Sequence, residues 1–108
     1  PHERIPVGPG PANVGFHVAG AVSHPGDSHS FVETMPILAM PFAAPWGSVT
    51  GGTDRTRLVR PRYVIPIHDW FVSEPGRDFL YRIATMALDP DGIELIHLRD
   101  FGSVTLAV

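Results

Sequence analysis

Apolar and polar residues alternate from residue 13 to residue 18. Val14, Phe16 and Val18 fall on one side, and Asn13, Gly15 and His17 on the other. A period of two marks a half-buried strand. Ala19-Gly20 offers a tight turn into a second short strand over residues 21–24. Residues 1–12, rich in proline and glycine, read as an irregular lead-in, and Pro25-Gly26-Asp27-Ser28 reads as a loop. Residues 35–40 form a short apolar run bracketed by Pro36 and Pro41, which suits a strand buried on both faces.

Residues 43–52 read as a loop. From residue 50 to 60 a short helix is expected, with Leu58 and Val59 buried and the arginines outside; Gly51 and Gly52 weaken it. Residues 62–68 are the next strand, in which Pro66 removes one ladder donor, so pairing is expected to break near the strand's end. A second helix follows. Ser73 is a good N-cap, Pro75 sits in the first turn, and Phe79, Leu80, Ile83, Ala84 and Ala87 share a stripe. Asp89-Pro90-Asp91-Gly92 stops it. Residues 93–98 and 104–108 read as an antiparallel hairpin around Asp100-Phe101-Gly102.

The expected order is β-β, loop, β-α-β-α, β-β, an α/β sheet with helices on one face. The right-handed crossover rule makes 35–40 and 62–68 parallel neighbours, with their C-terminal ends at one edge of the sheet. Functional groups on open α/β sheets collect at that edge.

Composition narrows the classes. A chain of 108 residues suits one domain with a modest core. A net charge of −3 leaves no electrostatic footprint for nucleic acid. Arg55, Arg57, Arg60 and Arg62 read as a solvated helix face. No apolar run approaches the roughly 20 residues that span a membrane. The absence of cysteine excludes disulfides and thiolate metal sites and fits a cytoplasmic protein. Eight basic residues, all arginine, fit codon bias in a GC-rich genome. The chain opens on Pro1 rather than methionine, which suggests a processed or cut chain.

Six histidines is a high count for this length. His17, on the polar face of a strand, and His97, in the closing hairpin, read as surface residues. His29, in a polar loop, is open to either reading. Asp27 and His68 differ, because each sits where a strand hands over to a loop, and rigid elements present ligands there. A carboxylate oxygen and an imidazole nitrogen suit zinc or another borderline divalent ion.

His24-Pro25-Gly26-Asp27-Ser28, then Leu38-Ala39-Met40-Pro41 with Ala44-Pro45-Trp46, then Arg60-Pro61-Arg62-Tyr63-Val64-Ile65-Pro66-Ile67-His68-Asp69 resemble the later half of a metallo-β-lactamase-fold hydrolase. The group most resembled includes the L-ascorbate-6-phosphate lactonase type and bacterial relatives. The resemblance covers almost the whole chain. It implies that residues 1–108 form half of an αββα sandwich, a mixed sheet with two helices on one face. It implies two metal ions, Zn2+ or else Mn2+ or Fe2+, in the complete fold. Asp27 matches the aspartate that bridges them and orients the nucleophile, which makes it the catalytic candidate. His68 matches a ligand of the second metal, and His2, before Pro11-Ala12-Asn13-Val14-Gly15-Phe16, resembles a ligand of the first. His24 resembles a residue that supports the Gly-Asp motif; a purely structural role is equally open. The HxHxDH motif that supplies the family's other ligands is absent from the chain.

The implied reaction is hydrolysis of an ester, lactone, amide or phosphoester in a small-molecule substrate by metal-bound hydroxide. Trp46 would line the cleft or cap the core. With an incomplete ligand set, the chain is expected to be inactive without an N-terminal half or an oligomeric partner. The alternative is a non-catalytic half-domain used for binding or assembly, and a third reading is a small α/β binding module.

Overall fold

The strands are short, and their pairing rather than their length defines the sheet. The computed structural model describes residues 8, 10, 12–43, 48–98 and 102–108. Strands β1 (Phe16–Val18), β2 (Val22–His24), β3 (Ile37–Met40), β4 (Tyr63–Pro66) and β5 (Glu94–Leu95) lie side by side in chain order. β1 and β2 are antiparallel, joined at a turn where Ala19 and Gly20 take positive φ. All other neighbours are parallel. Helices α1 (Val49–Val59) and α2 (Glu74–Leu88) form the crossovers from β3 to β4 and from β4 to β5. Two successive right-handed crossovers in one direction put both helices on one face. The chain is therefore α/β, with a five-stranded mixed sheet and two helices.

The expected parallel pair is present. Ile37 faces Tyr63, Leu38 faces Val64, Ala39 faces Ile65 and Met40 faces Pro66. Alternation turns Leu38, Met40 and Val64 toward the helices, where they join Phe42, Tyr81, Leu88 and Ile93 in the core. Ile37, Tyr63 and Ile65 occupy the opposite face and are half-buried. Pairing is not broken at Pro66 as expected: the ladder continues through the Ile67 N–H, which donates to the Met40 carbonyl at 2.9 Å.

Three expectations need correction. Phe16 and Val18 do share a face, but they are 61% and 55% exposed. His17 pairs with Ser23, and Ser23 with Leu38, so the His17 side of β1 faces the helices. Phe16 and Val18 therefore lie on the side away from the core. The closing hairpin is not formed. β5 runs parallel to β4, because a helix intervenes and a crossover returns the chain in the same direction. Residues 104–108 are irregular, and the expected hairpin turn at residues 99–101 lies outside the described residues.

Helix faces are the third correction. α1 starts one residue before the expected start, with the Ser48 hydroxyl accepting from the Gly51 N–H at 2.8 Å. Its buried residues are Gly52, Thr53 and Thr56, while Leu58 is 69% exposed. Polar threonines enter the core because their hydroxyls donate to the helix backbone; Thr56 donates to the Gly52 carbonyl at 2.7 Å. α2 is capped by Ser73 with Pro75 in its first turn, as expected. It buries Tyr81, Ala84 and Leu88, whereas Phe79 and Ile83 are about half exposed. Among the described residues no helix is long and apolar enough to cross a membrane.

Candidate metal centre at the C-terminal edge of the sheet

Because β2, β3 and β4 run parallel, the turns that leave β2 and β4 open on the same edge. Asp27 lies in the first turn and His68 in the second. Their side chains meet, with His68 Nε2 3.8 Å from Asp27 Oδ1. The two residues are separated by most of a βαβ unit in sequence, so only the parallel pairing brings them together.

The Asp27 turn is built by its neighbours. Asn13 Nδ2 donates to the Pro25 carbonyl at 2.9 Å, and Asn13 Oδ1 accepts from the Asp27 N–H at 2.9 Å. Gly26 has φ +72°, and a Cβ there would sit 2.3 Å from Asn13 Oδ1 and 2.8 Å from the Val14 carbonyl oxygen. Only glycine satisfies both the backbone and this close approach. His24 Nδ1 accepts from the Gly26 N–H at 3.1 Å, so His24 supports the Gly-Asp turn from the strand.

His68 is held differently. It takes φ 63°, a left-handed conformation that costs a non-glycine residue about 1–2 kcal/mol. Asp69 closes the turn: its carbonyl accepts from the Val72 N–H at 2.9 Å and from Arg77 Nη1 at 3.4 Å. Its carboxylate accepts from the Tyr81 hydroxyl at 2.6 Å. Two residues of α2 thus fix the turn that carries His68.

Tyr81 is 3% exposed. Burial, then the hydrogen bond and charge of Asp69, hold its phenol far above the ordinary tyrosine range, with Arg77 opposing weakly. Unfolded tyrosine ionises near pH 10. Above that pH the unfolded chain releases a proton that the folded chain keeps, so stability falls as pH rises. Urea midpoints are expected to decline above about pH 10 in the wild type. The decline should be smaller in Tyr81→Phe, and equal slopes for the two proteins would refute this account.

The other described histidines have partners of their own. His29 Nε2 donates to the Pro41 carbonyl at 2.7 Å. His97 meets the Tyr81 ring edge-on at 4.7 Å. His17 is exposed, as expected, and is also hydrogen-bonded: its Nε2 donates to Glu33 Oε1 at 3.3 Å and its Nδ1 lies 2.7 Å from Ser23 Oγ. Ser23 Oγ also accepts from the Met35 N–H at 2.7 Å, so this network ties the 33–35 segment to the β1–β2 ribbon. His2 and Trp46 lie outside the described residues. Among the described residues no group of three or more His, Cys, Asp or Glu side chains is placed to hold a metal ion.

Sequence reasoning singled out Asp27 and His68 and missed Asn13, Tyr81 and Arg77. Asn13 carried a usable signal, a turn-forming side chain just before a strand. Tyr81 and Arg77 carried none, because their partner lies across a turn.

No family model matches the chain, and no solved structure matches it. Protein Rv0786c of Mycobacterium tuberculosis is 34% identical to it over 87 residues, which is 74% of this chain and 39% of that protein. The chain thus spans well under half the length of the relative it matches.

Proposed function

We propose that this chain is the C-terminal part of a binuclear metal-dependent hydrolase, its sheet forming one half of an αββα metallo-β-lactamase sandwich. The observation that carries the reading is the meeting of Asp27 and His68 at the shared strand edge, 3.8 Å apart. Two ligands of one tetrahedral zinc ion, each about 2.1 Å from it, stand about 3.4 Å apart. The carboxylate and imidazole therefore fit a common divalent ion with a small adjustment. Their types suit zinc, manganese or iron equally.

When bound, such ions supply a water of lowered pKa and stabilise developing negative charge. Asp27 would hold the bridging position from a turn locked by Asn13, and His68 would present its Nε2 from a turn locked by Tyr81. His2 is the third residue assigned to the centre. The chain lacks an HxHxDH motif, so hydrolysis of an ester, lactone, amide or phosphoester requires donors from a longer chain or a partner. A cytoplasmic setting belongs to the same proposal, because a site of imidazole and carboxylate in a chain without cysteine needs no oxidising compartment.

Calorimetric titration with zinc and manganese tests the reading, on this chain and on any longer parent. Binding is expected in the parent, and Asp27→Ala or His68→Ala should each weaken it by at least about tenfold. Absence of binding in both proteins, or unchanged affinity in both variants, sinks it.

A second reading has its own observation. Phe16 and Val18 are open to solvent on the sheet face that carries half-buried Ile37, Tyr63 and Ile65. Parallel sheets are ordinarily covered on both faces. A non-catalytic half-domain that uses this face for assembly accounts for the pattern, and a monodisperse monomer by light scattering would count against it.

A further inference from the structure

His17 and Ser23 are cross-strand partners in the β1–β2 ribbon, so their side chains share a face. His17 Nδ1 lies 2.7 Å from Ser23 Oγ, and His17 Nε2 lies 3.3 Å from Glu33 Oε1. A carboxylate only accepts, so Nε2 carries the ring proton and donates it to Glu33. In that neutral tautomer Nδ1 is an acceptor, and the Ser23 hydroxyl donates to it. Ser23 Oγ also accepts from the Met35 N–H at 2.7 Å. This donor stabilises the negative charge that gathers on Oγ as its proton moves to His17. Serine, imidazole and carboxylate thus form one hydrogen-bonded line, the arrangement that activates a hydroxyl nucleophile.

The line borders a cavity of about 270 Å³, walled in part by His17, Ser23, Phe31, Val32, Glu33 and Leu38. Ser23 itself is 3% exposed, so it belongs to the cavity floor rather than to the open surface. The walls are chiefly apolar, and no arginine is among the described residues that form them. With the Glu33 carboxylate at its rim, the cavity disfavours an anion and suits an uncharged molecule with a small apolar part.

We infer that Ser23 is a nucleophile for acyl transfer, with His17 as its base and Glu33 positioning His17, and that the cavity takes an uncharged carboxylic ester with a short apolar acyl group. Ser23 Oγ bonds to the acyl carbon as its proton passes to His17 Nδ1. The bond from that carbon to the leaving oxygen breaks, and the leaving oxygen takes the proton from His17. Water oxygen then joins the acyl carbon, the bond to Oγ breaks, and Oγ takes a proton from that water. No step involves a metal, so the inference does not rest on the Asp27–His68 reading.

The test treats this chain with phenylmethanesulfonyl fluoride in the presence of EDTA. The reagent's sulfur bonds to an activated serine oxygen and releases fluoride. Peptide mass spectrometry is expected to place the label on Ser23 in the folded chain and to find none on Ser23 in the urea-unfolded chain. 4-Nitrophenyl butyrate should be hydrolysed saturably and should protect Ser23 from the label, and 4-nitrophenyl phosphate should not be cleaved. His17→Gln should slow labelling by about 100-fold, the usual contribution of a positioned base. Glu33→Gln, at an exposed position, should lower kcat for the butyrate ester and leave KM in place, and Glu33→Asp should restore part of the loss. An unlabelled Ser23 in the folded wild type, equal labelling after unfolding, or equal cleavage of the phosphate ester would each overturn the inference without recourse to a variant. Undiminished labelling in His17→Gln, or an unchanged kcat in Glu33→Gln, would do the same. Zinc titration of the same protein separates the two readings. Labelled Ser23 without zinc binding removes the metal centre and leaves the serine site; zinc binding with unlabelled Ser23 does the reverse.

Discussion

Phe42→Ala is expected to destabilise the chain by about 3–5 kcal/mol, the usual cost of emptying a fully buried aromatic site. Phe42 is 0% exposed and follows β3 directly after Pro41. Its ring lies against Gly52 of α1 and stands 6.3 Å from the Tyr81 ring of α2. It is therefore the side chain at which the end of β3 and both helices converge. Domains of this size hold roughly 5–15 kcal/mol in total. Urea unfolding followed by circular dichroism should show the midpoint falling by about 2 M, given a slope of about 2 kcal/mol per M. A fall below about 0.5 M would mean that the ring is not a core contact.

The same contact seen from α1 gives the second expectation. In an open helix, Gly52→Ala would gain about 1 kcal/mol from propensity. Here the added Cβ would lie 2.4 Å from Phe42 Cδ1 and 3.0 Å from Cε1. The ring has no free end to swing away, and overpacking of this kind costs about 1–3 kcal/mol. Gly52→Ala is thus expected to lower stability despite its better helix former, by up to about 2 kcal/mol after the propensity gain. Combining it with Phe42→Leu should recover part of the loss, since residues in contact are not additive. A stabilised Gly52→Ala, measured by the same urea titration, would overturn this account.

Gly52 also shows where reading the chain runs out. Two adjacent glycines weaken any helix judged by propensity, yet α1 forms through both. At Gly52 the space is taken by a ring on a different element, which no local window contains. The Thr53 and Thr56 face is similar, because threonine suits the core only once its hydroxyl has a helix carbonyl to bond. By contrast, the Ser73 cap and Pro75 in α2 were legible because their partners lie within one turn. The parallel pairing of β3 and β4 was legible because a helix between two strands leaves little other choice.

Of the candidate centre, the individual residues were legible and the support was not. Asp27 after a Gly and His68 at a strand end are positions that sequence order alone marks. Their 3.8 Å approach, the Asn13 brace and the Tyr81–Asp69 anchor exist only because separate elements pack together.

Local chemistry and chain direction alone fix the α/β class, the start of α2, the parallel central pair and the places of Asp27 and His68 at strand exits. The tertiary structure decided which face of each element is covered. It turned Phe16 and Val18 away from the core, Leu58 outward and Tyr81 inward, and it ran β5 parallel to β4. Periodicity states which side chains share a face, but burial requires a neighbour, and the neighbour is chosen by packing across the fold.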